Sequence, residues 1–240
     1  MKRYFSLFLL VFFLLALVAS PGFSQKASDI LEKMIEAQGG RKVLESIKDI
    51  TLSGTFEWEK MSGPFTQYQK APNKFRQEAE VMGMKKTDAF DGEIGWSIEA
   101  GQLRELAGKD AEDAKSGAFG YAAILYPEKY GISYVLKGKE KIEGHDYFVL
   151  EQTIPGGTPI THFIDAQTYL VYKTESPGIA DREGVMRKTV TLMLDYRKAD
   201  GVMIAHSLAT GPESEETVTI KFTKVSFNTG LEDSLFKMKK

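Results

Sequence analysis

The sequence contains no cysteine, so no disulfide, thiolate metal site or thiol nucleophile can be part of its chemistry. Acylation of the bacterial lipoprotein kind, which needs a cysteine at the cleavage point, is excluded on the same ground. Histidine is scarce: His145, His162 and His206 are the three, and no two are spaced as in HExxH or HxH. There is no G-x-S-x-G elbow, no P-loop and no dinucleotide-binding glycine pattern. Charge of one sign is not in excess either, with 31 Lys and Arg against 33 Asp and Glu. Such a chain lacks the basic footprint that nucleic acid or simple docking on anionic lipid requires. These absences point away from an enzyme, and neither a cofactor nor a metal is expected.

Long hydrophobic runs are equally rare. The single one is Leu7–Val18, at 12 residues shorter than the roughly 20 that a membrane-spanning helix needs. Lys2 and Arg3 precede it, and the small or turn-forming residues Ala19–Ser24 follow. That order is the pattern of a secretory signal peptide. Gly22 and Ser24 suit a signal peptidase site and put the cut before Gln25. A cut after Ser20 is the weaker option, since Pro21 would then begin the mature chain. An uncleaved anchor is the alternative, disfavoured by the length of the run. Residues 1–24 are read as leader and 25–240 as one periplasmic, monomeric domain, long enough for a sizeable core.

What the sequence does have is alternation. Residues 28–47 first read as helix in two pieces, with Ala27, Ile30, Leu31 and Met34 on one face and a break at Gly39-Gly40. Asp29 and Glu32 resemble a capping box at its start. The period then changes to two: Leu52, Gly54, Phe56 and Trp58 face one way, and Thr51, Ser53, Thr55 and Glu57 the other. Similar half-buried strands recur to Phe227, separated by turn signals such as Gly63-Pro64, Pro72-Asn73, Asp91-Gly92, Glu143-Gly144 and Asp200-Gly201. One helical stretch interrupts them, from Lys109 to Leu125, stopped by Pro127.

The count is about eleven strands in one antiparallel meander. A sheet of that size curls rather than stays flat, and closing or half-closing it removes exposed edges. The expected fold is α+β, mainly antiparallel β: a half-open curled barrel with helices packed in or over its concave side. A concave sheet must be filled by its own helices or by a ligand.

His162 alternates with Ile160 and Ile164 and is expected inside, hydrogen-bonded. His145 reads as a solvated turn residue and His206 as a strand residue. The aromatics of the early strands stand out more. Phe56, Trp58, Phe75 and Trp96, with Tyr121 and Leu125 from the central helix facing them, are the candidates for an apolar lining. Each could equally be ordinary core, and a register error of one residue would move any strand candidate to the other face.

Several segments together carry a family resemblance. Lys70-Ala-Pro-Asn-Lys-Phe-Arg76 follows a K-x-P-x-x-F-R pattern, and Asp91-Gly-Glu-Ile-Gly-Trp96 follows D-G-x-x-x-W. Phe163-Ile-Asp165 with Tyr169–Lys173, Asp195–Gly201 and the tail Phe227–Phe236 come after them in order. The chain resembles the periplasmic lipoprotein-carrier family, the LolA/LolB-like proteins. The resemblance implies a half-open barrel with a helical lid and an interior that takes the acyl chains of a lipoprotein or other lipid. It also implies transit between membranes, with inner- and outer-membrane partner proteins at either end. A non-catalytic envelope sensor or protein-interaction module on the same barrel is the alternative.

Expression of the full chain with an intact export pathway should yield a product that begins at Gln25. Intact mass and N-terminal sequencing of the released protein check this, and a product retaining Met1 would contradict the leader assignment.

Overall fold

The computed structural model describes residues 26–178, 185, 187–213 and 217–239; the leader assigned to residues 1–24 lies outside the described residues. Thirteen strands form one sheet: β1 (Asp49–Trp58), β2 (Met61–Lys70), β3 (Lys74–Val81), β4 (Met84–Phe90), β5 (Gly95–Glu99), β6 (Gln102–Glu105), β7 (Ser133–Ile142), β8 (His145–Thr153), β9 (Ile160–Asp165), β10 (Val171–Ser176), β11 (Thr189–Ala199), β12 (Val202–Pro212) and β13 (Val218–Phe227). The expected number was about eleven. The short strands read at Trp96 and at Leu103–Leu106 are β5, with five residues, and β6, with four. The strand expected from Val185 begins at Thr189.

The spatial order is β6-β5-β4-β3-β2-β1-β13-β12-β11-β10-β9-β8-β7. Two meanders, β1–β6 and β7–β13, thus meet where β1 pairs antiparallel with β13, leaving β6 and β7 as the outer edges. The sheet curls without closing. Bulges help it bend: the ladders shift register at Ser53/Gly54, at Leu136/Gly138 and at Val171/Lys173. At the first of these, a Cβ on Gly54 would stand 1.8 Å from the Lys221 carbonyl oxygen, so only glycine lets the two central strands approach.

Among the described residues, four α-helices cover the inner face: α1 (Ala27–Ala37), α2 (Arg41–Ser46), α3 (Gly108–Ala118) and α4 (Tyr121–Leu125). The cap of α1 differs in detail from the expected pair. The Asp29 carboxylate accepts the Lys26 backbone N–H at 3.0 Å, while Glu32 binds Arg41 and so joins α1 to α2. Arg41 also donates to the Leu125 carbonyl at 3.2 Å. Ile30, Leu31 and Met34 pack on Phe148, Leu150 and Ile164 of the second meander, and Ile35 and Leu44 pack with Leu125 on Val202 and Ile204.

The single helix expected from Lys109 to Leu125 is split. Gly120 sits at φ 49° and ψ −130°, a region open essentially to glycine alone, so α4 leaves α3 at an angle. A Cβ there would also lie 2.3 Å from the Gln69 side chain. α3 packs on β3–β5 and is tied to the β8–β9 loop by Ser116 Oγ, which donates to the Thr158 carbonyl at 3.0 Å. It therefore bridges the open side between the two meanders.

The outer face carries the C-terminal segment as a strap. The Asp49 carboxylate accepts hydrogen bonds from Thr229 N at 2.7 Å, Thr229 Oγ1 at 3.0 Å, Gly230 N at 3.0 Å and Leu231 N at 3.2 Å. Lys70 and Lys74 both reach Asp233 at 2.7 Å. Arg76 pairs with Glu78, donates to the Leu235 carbonyl at 2.8 Å and lies over the Trp96 ring at 5.3 Å. The Trp96 indole N–H donates to the Phe236 carbonyl at 2.7 Å. The segments 70–76, 91–96 and 227–236 that carried the resemblance thus converge on one structural device.

Asp49 is buried. Burial pushes its carboxyl up, but the hydrogen bonds from Thr229, Gly230 and Leu231 outweigh it and hold the group below its ordinary value. The contribution is therefore complete above about pH 4, the ordinary Asp range, and is lost as pH falls through the lowered folded value. Asp49→Asn should cost about 2 kcal/mol at pH 7, the scale of hydrogen bonds to a charged group. It should also flatten the acid limb of the urea-unfolding midpoint below pH 4; an unchanged acid limb would remove Asp49 as the clamp.

Candidate functional site

Between the inner face of the sheet and helices α1, α3 and α4 lies a cavity of about 380 Å³, within the range of about 300–1,000 Å³ usual for ligand pockets. Ile50 and Leu52 of β1, Phe222 of β13, Leu208 of β12 and Met193 of β11 form its floor, and Met34, Tyr121 and Ile124 its roof. A second space of about 120 Å³, lined by Leu44, Ile47, Leu125 and the β2–β3 turn, shares Ile50, Gln69 and Tyr121 with the first. The two spaces are thus neighbours across those three side chains. Among the described residues lining the larger cavity there is no Lys, Arg, Asp or Glu.

Strand pairing decides where the candidate residues stand. On β1, alternation puts Ile50, Leu52, Gly54, Phe56 and Trp58 on the inner face. Gln69 lies opposite Ile50, and Phe75 opposite Gln69, so both are inner as well. Trp96 lies opposite Ala89, Ala89 opposite Arg76, and Arg76 opposite Tyr68. That chain of partners is the outer face. Trp96 is 2% exposed, buried by the C-terminal strap and remote from the cavity side.

The other candidates separate similarly. Phe56 is buried with Phe65, Ile220 and Phe222 and extends the floor as core. Trp58 shares its face but stands at the hairpin tip, 41% exposed, with Met82 at 80% and Met84 at 58% on the β3–β4 hairpin. Phe75 lines a different pocket of about 360 Å³ beneath α3, with Leu106 and Ala114. Tyr121 lines the main cavity and the smaller space beside it, and Leu125 only the smaller one. Leu52, whose face the alternation had assigned, lines the cavity as well. Gln67, Gln69, Gln152 and Tyr134 gave no sequence signal, because polar residues on a strand read as solvent-facing.

Within the apolar walls sits a small polar cluster. Gln152 is buried, and its Oε1 lies 2.8 Å from His162 Nε2, so the expected hydrogen-bonded histidine is present. The Tyr134 and His162 rings lie 6.4 Å apart. Burial lowers the His162 pKa to about 4, which keeps the imidazole neutral near pH 7. Tyr196 donates to the Val171 carbonyl at 2.8 Å. Burial raises the phenol pKa of Tyr121, Tyr134 and Tyr196. The cluster is uncharged throughout and can supply hydrogen bonds, not ion pairs. His145 is exposed and His206 bonds the Ile204 carbonyl at 2.9 Å; among the described residues no three His, Asp or Glu side chains gather as a metal site.

No protein-family model matches the sequence, and no curated protein matches it. Solved structures do match the fold. A LolA superfamily protein from Nitrosomonas europaea superposes with a TM-score of 0.59, covering 90% of this chain and 99% of its own, at 14% identity. The chain shares its fold with that protein. A putative outer membrane lipoprotein-sorting protein domain from Vibrio parahaemolyticus gives a TM-score of 0.55 at 16% identity, over 87% of this chain and 95% of its own. A DUF1329 family protein from Desulfovibrio piger gives 0.55 at 14% identity with the same coverage. At these identities the likeness to LolA-type proteins is one of fold. Among the described residues no helix is long and apolar enough to cross a membrane.

The neutral His162 has a measurable consequence. Below about pH 6.5 the unfolded chain takes up a proton that the folded chain accepts only near pH 4. Stability should therefore fall between these values by on the order of 3 kcal/mol. His162→Gln should flatten that segment in urea titrations at pH 7.0, 5.5 and 4.5; equal slopes for both proteins would show that the imidazole is not held neutral.

Proposed function

We propose that this protein is a non-catalytic envelope carrier that takes acyl chains of lipoproteins or other lipids into the cavity under α1 and α4 and shields them in transit between membranes. The observation that carries the proposal is the open cavity of about 380 Å³ between the curled sheet and its helices, with no charged side chain among its described lining residues. Moving an acyl chain out of a bilayer costs about 0.8 kcal/mol per methylene exposed to water, so twelve methylenes amount to about 10 kcal/mol. A dry apolar site offsets most of that and makes transfer an exchange between two similar environments. α1, α2 and α4 lie over the cavity side and are joined through Arg41; they are the elements that would shift to admit a chain. The leader read at residues 1–24 supports a periplasmic, diffusible product.

A second reading, a sensor or interaction module on the same barrel, is favoured by the exposed tip carrying Trp58, Met82 and Met84. Apolar side chains gathered at adjoining hairpin ends fit contact with a partner protein or membrane, and a carrier would need such a contact as well.

Native mass spectrometry of the mature protein, purified without detergent, should show adducts of acyl-lipid mass that organic extraction removes. Leu208→Trp, which fills the cavity floor, should abolish the adducts while circular dichroism stays unchanged. A homogeneous apo protein that also fails to take up added acyl lipid would overturn the carrier reading. Specific capture of one envelope protein by that same lipid-free chain would support the second reading.

A further inference from the structure

One wall of the larger cavity carries a polar atom that nothing among the described residues pairs. Two buried side-chain atoms among those residues have no hydrogen-bond partner, Ser97 Oγ and His162 Nδ1. Of the two residues, only His162 belongs to the cavity lining. A buried polar atom left unpaired is costly, and native structures pair most of them.

The other ring nitrogen fixes what Nδ1 can do. Gln152, itself 4% exposed, holds His162 Nε2 through its Oε1 at 2.8 Å. An amide oxygen only accepts, so Nε2 carries the ring proton. Burial keeps the imidazole neutral near pH 7, and one proton on Nε2 leaves Nδ1 a bare lone pair. Nδ1 can accept a hydrogen bond and cannot donate one. A carbonyl, an ether oxygen or a carboxylate would set lone pair against lone pair. An ammonium could donate, but among the described residues no Asp or Glu lines the cavity to balance its charge. An uncharged donor, of which a lipid hydroxyl is the simplest, meets both conditions. Ile160, Val171 and Met193 in the same lining offer apolar contact to the chain that bears it.

We propose that His162 is the polar anchor of the cavity, its Nδ1 accepting a hydrogen bond from an uncharged hydroxyl on the guest lipid, at the chain end or within the chain. Nδ1 is itself buried, so the hydroxyl reaches it as cavity side chains repack around the guest. This rests on the carrier reading, and the test separates the two. Decan-1-ol and methyl nonyl ether are isomers, as are decan-5-ol and dipentyl ether, and in each pair only the alcohol donates. The first pair puts the oxygen near the chain end and the second puts it within the chain. Affinities for the mature wild-type protein are read by displacement of Nile red, an uncharged apolar dye. An alcohol loses more than its isomeric ether on leaving water, so a purely apolar cavity favours the ethers. Here the alcohol should bind more tightly than its ether in at least one pair, and that pair locates the hydroxyl. His162→Phe keeps a ring and loses Nδ1. It should lower the alcohol-to-ether affinity ratio of that pair about 3- to 10-fold, the loss of one hydrogen bond. Nitrogen NMR of histidine-labelled wild type gives a second readout that needs no variant. The His162 Nδ1 resonance should move to lower chemical shift with the preferred alcohol and stay in place with its ether. Tighter ethers in both pairs, an unchanged ratio in a folded His162→Phe protein, or an Nδ1 resonance indifferent to the alcohols would overturn the anchor and leave acyl binding standing. Failure of all four guests to displace Nile red, or of the dye to bind, would overturn the carrier reading and the anchor with it.

Discussion

The antiparallel pairing of β1 with β13, from Ile50 opposite Phe227 to Glu57 opposite Thr219, makes one curled sheet out of two meanders. Each meander alone would be an open sheet with a large exposed apolar face. Joined, they form a surface long enough to bend around α1–α4. The joint depends on close approach: at Gly54 the β13 backbone occupies the space a side chain would take. Phe56, Phe65, Ile220 and Phe222 then pack across it. The floor of the cavity begins beside that cluster, with Leu52 and Phe222.

The two faces of this sheet do different work. On the outer face, Asp49, Lys70, Lys74, Arg76 and Trp96 fasten the C-terminal segment by hydrogen bonds and ion pairs. Most of these contacts bind backbone groups, so they hold a path of chain, and their role is to secure the early strands. On the inner face, the described side chains that line the larger cavity carry no Lys, Arg, Asp or Glu. Gln152 bonds His162 through Nε2, His162 Nδ1 is buried without a partner, and Gln69 fastens the end of α3. Polar residues are tolerated in an apolar cavity when each is paired or can be paired by a guest.

The LolA-type fold and the low identity to its structural neighbours are compatible for a simple reason. Curling a long antiparallel sheet around helices demands alternation, turns and a few close approaches, and many sequences supply these. The lining of the cavity is set by fewer groups, among them Tyr121 and Gln69. Fold and selectivity can therefore vary independently.

Local periodicity determined much of this protein. Alternation at Leu52, Phe56 and Trp58 assigned those residues to one face, Gly39-Gly40 marked the break between α1 and α2, and the turn dipeptides marked strand ends. These signals rest on interactions a few residues apart, and the half-open barrel follows from them. Long-range contacts decided the rest. Trp96 sits on the outer face because three successive pairings, through Ala89, Arg76 and Tyr68, carry it there, and no local pattern reveals a register. At the kink that sets Tyr121 over the cavity, the space a side chain on residue 120 would take is filled by Gln69, contributed by a strand some fifty residues earlier. Which glutamines face a cavity rather than water was legible only once the sheet had curled, because solvent and cavity look alike to a single strand.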